Sequence, residues 1–292
     1  MRGLEAAVLV LCLSLAPPAC AGSSADVTSP PSGNSPPPEE PETPTPPVPP
    51  PPTPSGPPES PPPGPPIPNP PGIGAGARVL FVGNSLTEGN DVPGMVRDLA
   101  AAAGLGWKVE AHLLSGAGLQ DHWARGTVQS RIRSGSWDAV VLQQGPSSLP
   151  ESRADLRQWA GEYDALVRQA GGLSALYMVW PELARFAWFD RVRDSYALAA
   201  RDVGGWFLPA GESWRAAWEA EPGLRLYGGD GFHPTVAGSW AAALTIFCGL
   251  SGLPPGDLPA PSAVDPTTAE LLRQAAARAL ERYGGYGPQD VP

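Results

Sequence analysis

The chain has 292 residues, with 40 prolines, 35 glycines and a formal net charge of −10. The prolines are concentrated, since 24 of the 40 fall within residues 29–71. That divides the chain into a Pro-rich segment and a globular part long enough for one real core. Acidic residues outnumber basic ones on both sides of residue 77, so no basic field is present, which argues against nucleic acid as a partner.

Residues 6–15 (AAVLVLCLSL) form an apolar stretch too short to span a bilayer as a helix. Arg2 precedes it and small residues follow. This is the layout of a secretory signal, placed at residues 1–21. Two cleavage patterns compete. Ala19-Cys20-Ala21 suits an ordinary signal peptidase. Leu15-Ala16-Pro17-Pro18-Ala19-Cys20 resembles a bacterial lipoprotein signal with Cys20 as the lipidated residue, although Pro17 stands where an aliphatic residue is usual. Residues 22–77 offer almost nothing to bury and cannot offset their ordering entropy. We read them as a disordered spacer, in which the 43 residues 29–71 would reach up to ~130 Å in the polyproline II conformation. The sharper alternative is a ligand for a Pro-binding module. The expected location is the cell envelope or the exterior, with membrane contact only through a lipid on Cys20.

The globular domain is expected over residues 78–285, with a tail at 286–292. Arg78–Val82 is a short apolar run ending in Gly83 and reads as a buried strand. Residues 92–103 read as a helix closed by Gly104. A second strand is expected at 107–114 and a third at 138–142. A long amphipathic helix follows at 151–170, stopped by Gly171-Gly172. Leu173–Val179 is a fourth strand, Phe189–Val203 a helix and Gly205–Leu208 a short fifth strand. Helices at Val236–Leu250 and Pro266–Tyr283 close the domain. Apolar strands alternating with helices predict a parallel sheet covered on both faces, a three-layer α/β/α architecture. Ligands of such sheets bind beyond the carboxyl ends of the strands.

Gly83-Asn84-Ser85-Leu86-Thr87 follows the first strand and puts a serine at that edge. Near the other end of the chain stands Asp230-Gly231-Phe232-His233-Pro234. Three-residue spacing lets the carboxylate reach the nearer imidazole nitrogen, which leaves the other free to take the serine proton. Alone, the first segment could be only a turn and the second a helix start. The chain has three histidines, His112, His122 and His233. His112 lies inside the second strand and reads as packed. Cys248 sits in an apolar run and reads as a buried small hydrophobe.

At these residues the chain resembles the SGNH (GDSL-like) hydrolase superfamily, over roughly residues 78–250. The resemblance implies a flavodoxin-like fold with a five-stranded parallel sheet and a serine esterase activity that needs no cofactor or metal. It implies Ser85 as nucleophile, with Asp230 and His233 completing the triad. It also implies an oxyanion hole made by the N–H of Ser85, a glycine after the second strand and a side-chain amide after the third. Gly116 is the first choice for the glycine and Gly118 the second. The third block departs from the family, because Leu142-Gln143-Gln144-Gly145 has no asparagine. A glutamine amide carries the same donor on a longer arm. Gln144 takes the place, with Gln143 as substitute; both could instead merely cap the strand.

The expected substrate is a small-molecule or glycan ester, including O-acetyl groups on a carbohydrate, and the expected state is a monomer. Trp123, Trp180 and Trp188 are candidate sugar contacts, and the aromatic loop 182–188 could cover the pocket. A non-catalytic, envelope-anchored glycan-binding module with the same fold is the competing reading. Gly72-Ile73-Gly74-Ala75-Gly76 precedes its strand, so it reads as a hinge and not as a dinucleotide loop.

Overall fold

A computed structural model of the protein describes residues 70–283. The export signal, Cys20, most of the Pro-rich spacer and the C-terminal tail lie outside the described residues. Five strands make one parallel sheet: β1 Arg78–Gly83, β2 Lys108–Leu113, β3 Ala139–Leu142, β4 Leu173–Tyr177 and β5 Trp206–Leu208. Their order is β2-β1-β3-β4-β5. The inner strands are apolar because both faces are covered. Val79, Leu80 and Phe81 of β1 and all four residues of β3 are 0% exposed.

The helices are α1 Ser85–Glu88, α2 Val92–Ala102, α3 Leu119–Arg125, α4 Thr127–Ser134, α5 Pro150–Gln169, α6 Phe189–Val203, α7 Ala210–Ala220, α8 Val236–Ser251 and α9 Pro266–Tyr283. On one side α8 packs against α2, α7 and α9; on the other α5 packs against α4 and α6. The three-layer α/β/α architecture with a flavodoxin-like parallel sheet is therefore present. Helix α8 is apolar nearly all round, and residues 238–248 are buried without a break. Such a helix must lie between other layers. Cys248 lies there as a buried free thiol, and burial pushes it up to about 12. No described helix is long and apolar enough to cross a membrane.

Residues 70–77, assigned by composition to the spacer, are bound to the domain. Ile73 N–H donates to Leu250 O at 2.8 Å and Gly76 N–H to Leu105 O at 2.7 Å. The indoles of Trp107 and Trp206 donate to Gly74 O and Pro70 O. The Gly-rich stretch is thus a docked strap. Gly72 is needed for it, since a Cβ there would lie 2.2 Å from Ser251 O. Main-chain bonds use groups that every residue carries, so composition could not reveal them.

The sheet order reverses between β2-β1 and β3-β4-β5. In such sheets the crevice at the carboxyl end of the reversal point holds the ligand. Ser85 stands there, directly beyond β1.

Candidate active site

The turn after β1 is built from side-chain bonds. Asn84 caps α1 by accepting from Leu86 N at 3.1 Å and donates through Nδ2 to Ala117 O at 2.9 Å. Gln143, at the end of β3 and 1% exposed, holds the turn from the other side. Its Oε1 accepts from Asn84 N at 2.9 Å and from the Thr87 hydroxyl at 2.7 Å. Its Nε2 donates to Asn84 Oδ1 at 3.0 Å and to Gln144 O at 2.5 Å. Gly83 is obligatory for this packing. A Cβ there would lie 2.5 Å from Gln143 Oε1 and 2.8 Å from Thr87 Oγ1. The result places Ser85 at the first position of α1, where its N–H has no intrahelical acceptor.

The loop before α8 carries the other two residues. Asp230 Oδ1 accepts from the N–H groups of Phe232 and His233, both at 3.0 Å. Gly231 supplies the left-handed backbone (φ +68°) that this turn requires. The loop is fixed from outside by Gly228 N–H to His233 O at 2.7 Å, Leu183 N–H to Gly231 O at 2.8 Å and the Trp180 indole to Phe232 O at 2.9 Å. Thr235 then caps α8 by accepting from Gly238 N.

These two segments meet. His233 Nε2 is 2.9 Å from Ser85 Oγ, and His233 Nδ1 is 2.5 Å from Asp230 Oδ2. A carboxylate beside Nδ1 fixes the proton on that nitrogen, so Nε2 accepts from the serine hydroxyl. The His233 ring and the two backbone N–H groups hold the Asp230 carboxyl down to about 2. The site is open: the Asp230 and His233 side chains are 51% and 45% exposed.

The two candidate glycines differ. Gly118 caps α3, and its N–H donates to Asp121 Oδ2 at 2.8 Å. Gly116 has φ +71°, and its N–H meets no acceptor among the described residues. The two glutamines differ as well. Gln143 is committed on all sides, to the Ser85 turn and to Gln144 O. Gln144 accepts from Leu119 N at 3.3 Å and donates to Ser147 Oγ at 3.0 Å and Asp155 Oδ2 at 3.3 Å. Gln144 lines a cleft of about 330 Å³ with Gly118, Ser147, Ser152, Asp155, Glu182 and Arg185.

Of the candidate sugar contacts, Trp180 is fully buried and stacked on Trp214 at 3.6 Å, so it cannot touch a ligand. Trp123 is half-buried against Trp159 and Tyr163. Trp188 is half-buried between Arg185 and Arg191. The segment Leu183–Trp188 is a 3-10 turn in which Leu183 and Phe186 are exposed. His112 and His122 lie edge-to-face beside the Ser85 turn, and His122 Nε2 is 3.0 Å from Gly83 O. A second charged cleft, lined by Arg193, Glu212 and Arg215, contains none of the triad residues, and these charges pair among themselves. Sequence reasoning missed Thr87, the structural part of Gln143, and His122; no local signal marks them.

No family model matches the chain, and no curated protein matches it. Solved structures do. A protein assigned to the SGNH hydrolases, from Slackia heliotrinireducens, is 28% identical, covers 59% of this chain and 97% of its own, and superposes with a TM-score of 0.51. A DUF4886 family protein from Bacteroides uniformis ATCC 8492 is 19% identical, covers 70% and 95%, and gives a TM-score of 0.60. LAE5, an alpha/beta hydrolase enzyme from the metagenome of Lake Arreo, Spain, is 16% identical, covers 62% and 97%, and gives a TM-score of 0.51. The last two are likenesses of fold. The first supports the SGNH hydrolase superfamily for this chain.

Proposed function

We propose that this protein is an exported serine esterase of the SGNH type that cleaves carboxylic esters, with O-acetyl groups on a carbohydrate as the substrate class. One observation carries the reading: the continuous chain of hydrogen bonds from Ser85 Oγ through His233 to Asp230. It stands at the reversal point of a parallel sheet, where the fold exposes its ligands.

In this reading His233 Nε2 takes the Ser85 proton as Oγ attacks the ester carbonyl, and Asp230 stabilises the imidazolium. The oxyanion is met by the N–H groups of Ser85 and Gly116. Gln144 joins them by exchanging its longer bond, to Asp155, for the oxyanion. His233 returns the proton to the leaving alcohol. Water, activated by the same imidazole, then attacks the acyl-enzyme and releases the acid. The hydroxyls of Ser147 and Ser152 and the carboxylates of Asp155 and Glu182 suit a polyhydroxylated alcohol part in the adjoining cleft. The open triad suits a substrate that is itself large. Export, and a lipid on Cys20, rest on the N-terminal signal.

The test is hydrolysis of p-nitrophenyl acetate by the full chain beside Ser85→Ala and His233→Ala. Both variants should lose on the order of 10³-fold or more in kcat while remaining folded. Equal rates in all three, together with no labelling of Ser85 by a fluorophosphonate, would leave the glycan-binding module as the reading.

A further inference from the structure

The nucleophile and its base stand 148 residues apart in the chain. Their 2.9 Å contact therefore depends on what joins the two segments. The Ser85–His233 bond itself cannot set that spacing, because it must break and reform in each turnover. Among the described residues, a different side chain spans the gap. Asn90 donates through Nδ2 to Pro234 O at 3.1 Å and to Ser239 Oγ at 2.9 Å. Pro234 follows the base directly. Ser239 lies on the first turns of α8, and its hydroxyl returns to Gly89 O at 3.2 Å. Asn90 and Ser239 thus close a loop of bonds between the segment that bears Ser85 and the segment that bears His233.

The backbone at Asn90 points the same way. Its φ is +58° and ψ is +18°, and Asp91 follows at φ +57°. Two consecutive non-glycine residues in the left-handed region are uncommon. Asn90 is exposed, so no surrounding core forces that conformation on it. Its amide bonds supply the force, and Asp91 is held by accepting from Gly94 N at 3.0 Å. The turn swings the chain so that the Asn90 amide faces the base loop.

We propose that Asn90 is a positioning residue that sets the distance between Ser85 and His233. The proposal rests on Ser85 and His233 being nucleophile and base. It adds that their alignment is imposed by a clamp on the far side of the base loop, outside the reacting atoms. Loss of the clamp would leave the fold intact and let the two segments drift. A misplacement near 1 Å can cost up to ~10²-fold in rate.

Asn90→Gly isolates the side chain, because glycine keeps the left-handed backbone without strain. In the full-length protein, Tm should stay within about 3 °C of the parent while kcat on p-nitrophenyl acetate falls on the order of tenfold to 10²-fold. KM should change by less than about twofold, since no binding contact is removed. Ser239→Ala should give a smaller fall of the same kind. A second readout needs no turnover. Nitrogen-resolved NMR of the His233 ring should show Nδ1 protonated in both proteins, held by Asp230, with the Nε2 resonance shifted in Asn90→Gly as its hydrogen bond from Ser85 lengthens. Full activity together with an unchanged ring spectrum in Asn90→Gly would overturn the clamp. An inactive parent whose ring spectrum still responds to Asn90→Gly would uphold the clamp and sink the esterase reading instead.

Discussion

Replacing Gln143 by leucine should destabilise the domain more than any single change in the triad. The side chain is 1% exposed, and leucine fills nearly the same volume, so the packing term is small. The polar term is not. Asn84 N–H and the Thr87 hydroxyl both donate to Gln143 Oε1 and meet no other acceptor among the described residues. The other two partners are better placed: Asn84 Oδ1 keeps Leu86 N, and Gln144 O keeps the Tyr196 hydroxyl at 2.7 Å. Two buried donors are thus orphaned, at ~1–3 kcal/mol each and so ~2–6 kcal/mol together, with ~3 kcal/mol in the lower half of that range. For a domain of this size that corresponds to roughly 6–12 °C in Tm. Thermal unfolding followed by circular dichroism measures it. Adding Thr87→Val removes one of the orphaned donors and should recover ~1 kcal/mol, a coupling that a double-mutant cycle isolates. A Gln143→Leu variant melting within about 2 °C of the parent would refute the reading of Gln143 as the support of the nucleophile turn.

Two further outcomes concern pH. Asp230 is held down to about 2 by the His233 ring and two backbone N–H groups. Its contribution is therefore present above the usual carboxylate range and lost only as pH falls through about 2. The acid limb of kcat/KM should then carry no inflection from Asp230 near the ordinary aspartate value; an inflection there would contradict this. Burial lowers the pKa of both His112 and His122, with nearby Arg131 and Arg125 adding to it at His112. A histidine lowered in the folded state takes its proton first in the unfolded one, so stability is full above about pH 6.5 and falls as pH drops toward the folded value. Tm should decrease on going from about pH 7.5 to 5, and His122→Gln should flatten that slope; an equal slope in the variant would remove His122 from the account.

Much of this site could be read from the sequence because its signals are local. Gly83-Asn84-Ser85 ends an unbroken apolar strand, and Asp230 and His233 stand three residues apart on one turn. Helices α6 and α9 were likewise legible, each bearing a sustained apolar stripe between clear stops. The segments that escaped are short or tertiary in origin. Helices α3 and α4 are split by Gly126, whose φ is +73°, and neither is long enough to declare a period of its own. Helix α7 opens Ala210-Gly211 without a side-chain cap, and the close approach of Gly211 to Val179 O explains that glycine only once the fold is known. Trp180 looked available for a sugar because it follows β4 at the functional edge. Its stacking on Trp214, more than thirty positions later in the chain, is invisible locally.

The division of labour between the two glutamines follows from the alternation of side chains along an extended segment. Gln143 turns toward β1 and the nucleophile turn; Gln144 turns to the cleft, with its backbone held by the Tyr196 hydroxyl, which accepts from Gln144 N at 3.1 Å. Gln143→Leu should therefore act on stability and Gln144→Ala on rate. Truncating Gln144 orphans one buried donor, Leu119 N–H, against two at Gln143, so the fold should lose about half as much. If its amide meets the oxyanion, kcat should fall on the order of 10²–10³-fold with KM nearly unchanged, because the bond is made only as the tetrahedral intermediate forms. Asp155→Ala, which frees the Gln144 amide from its longer bond, should leave kcat equal or higher. A Gln144→Ala variant within about threefold of the parent would mean that Ser85 and Gly116 N–H groups form the whole hole. The glutamine pair would then be scaffolding at both positions.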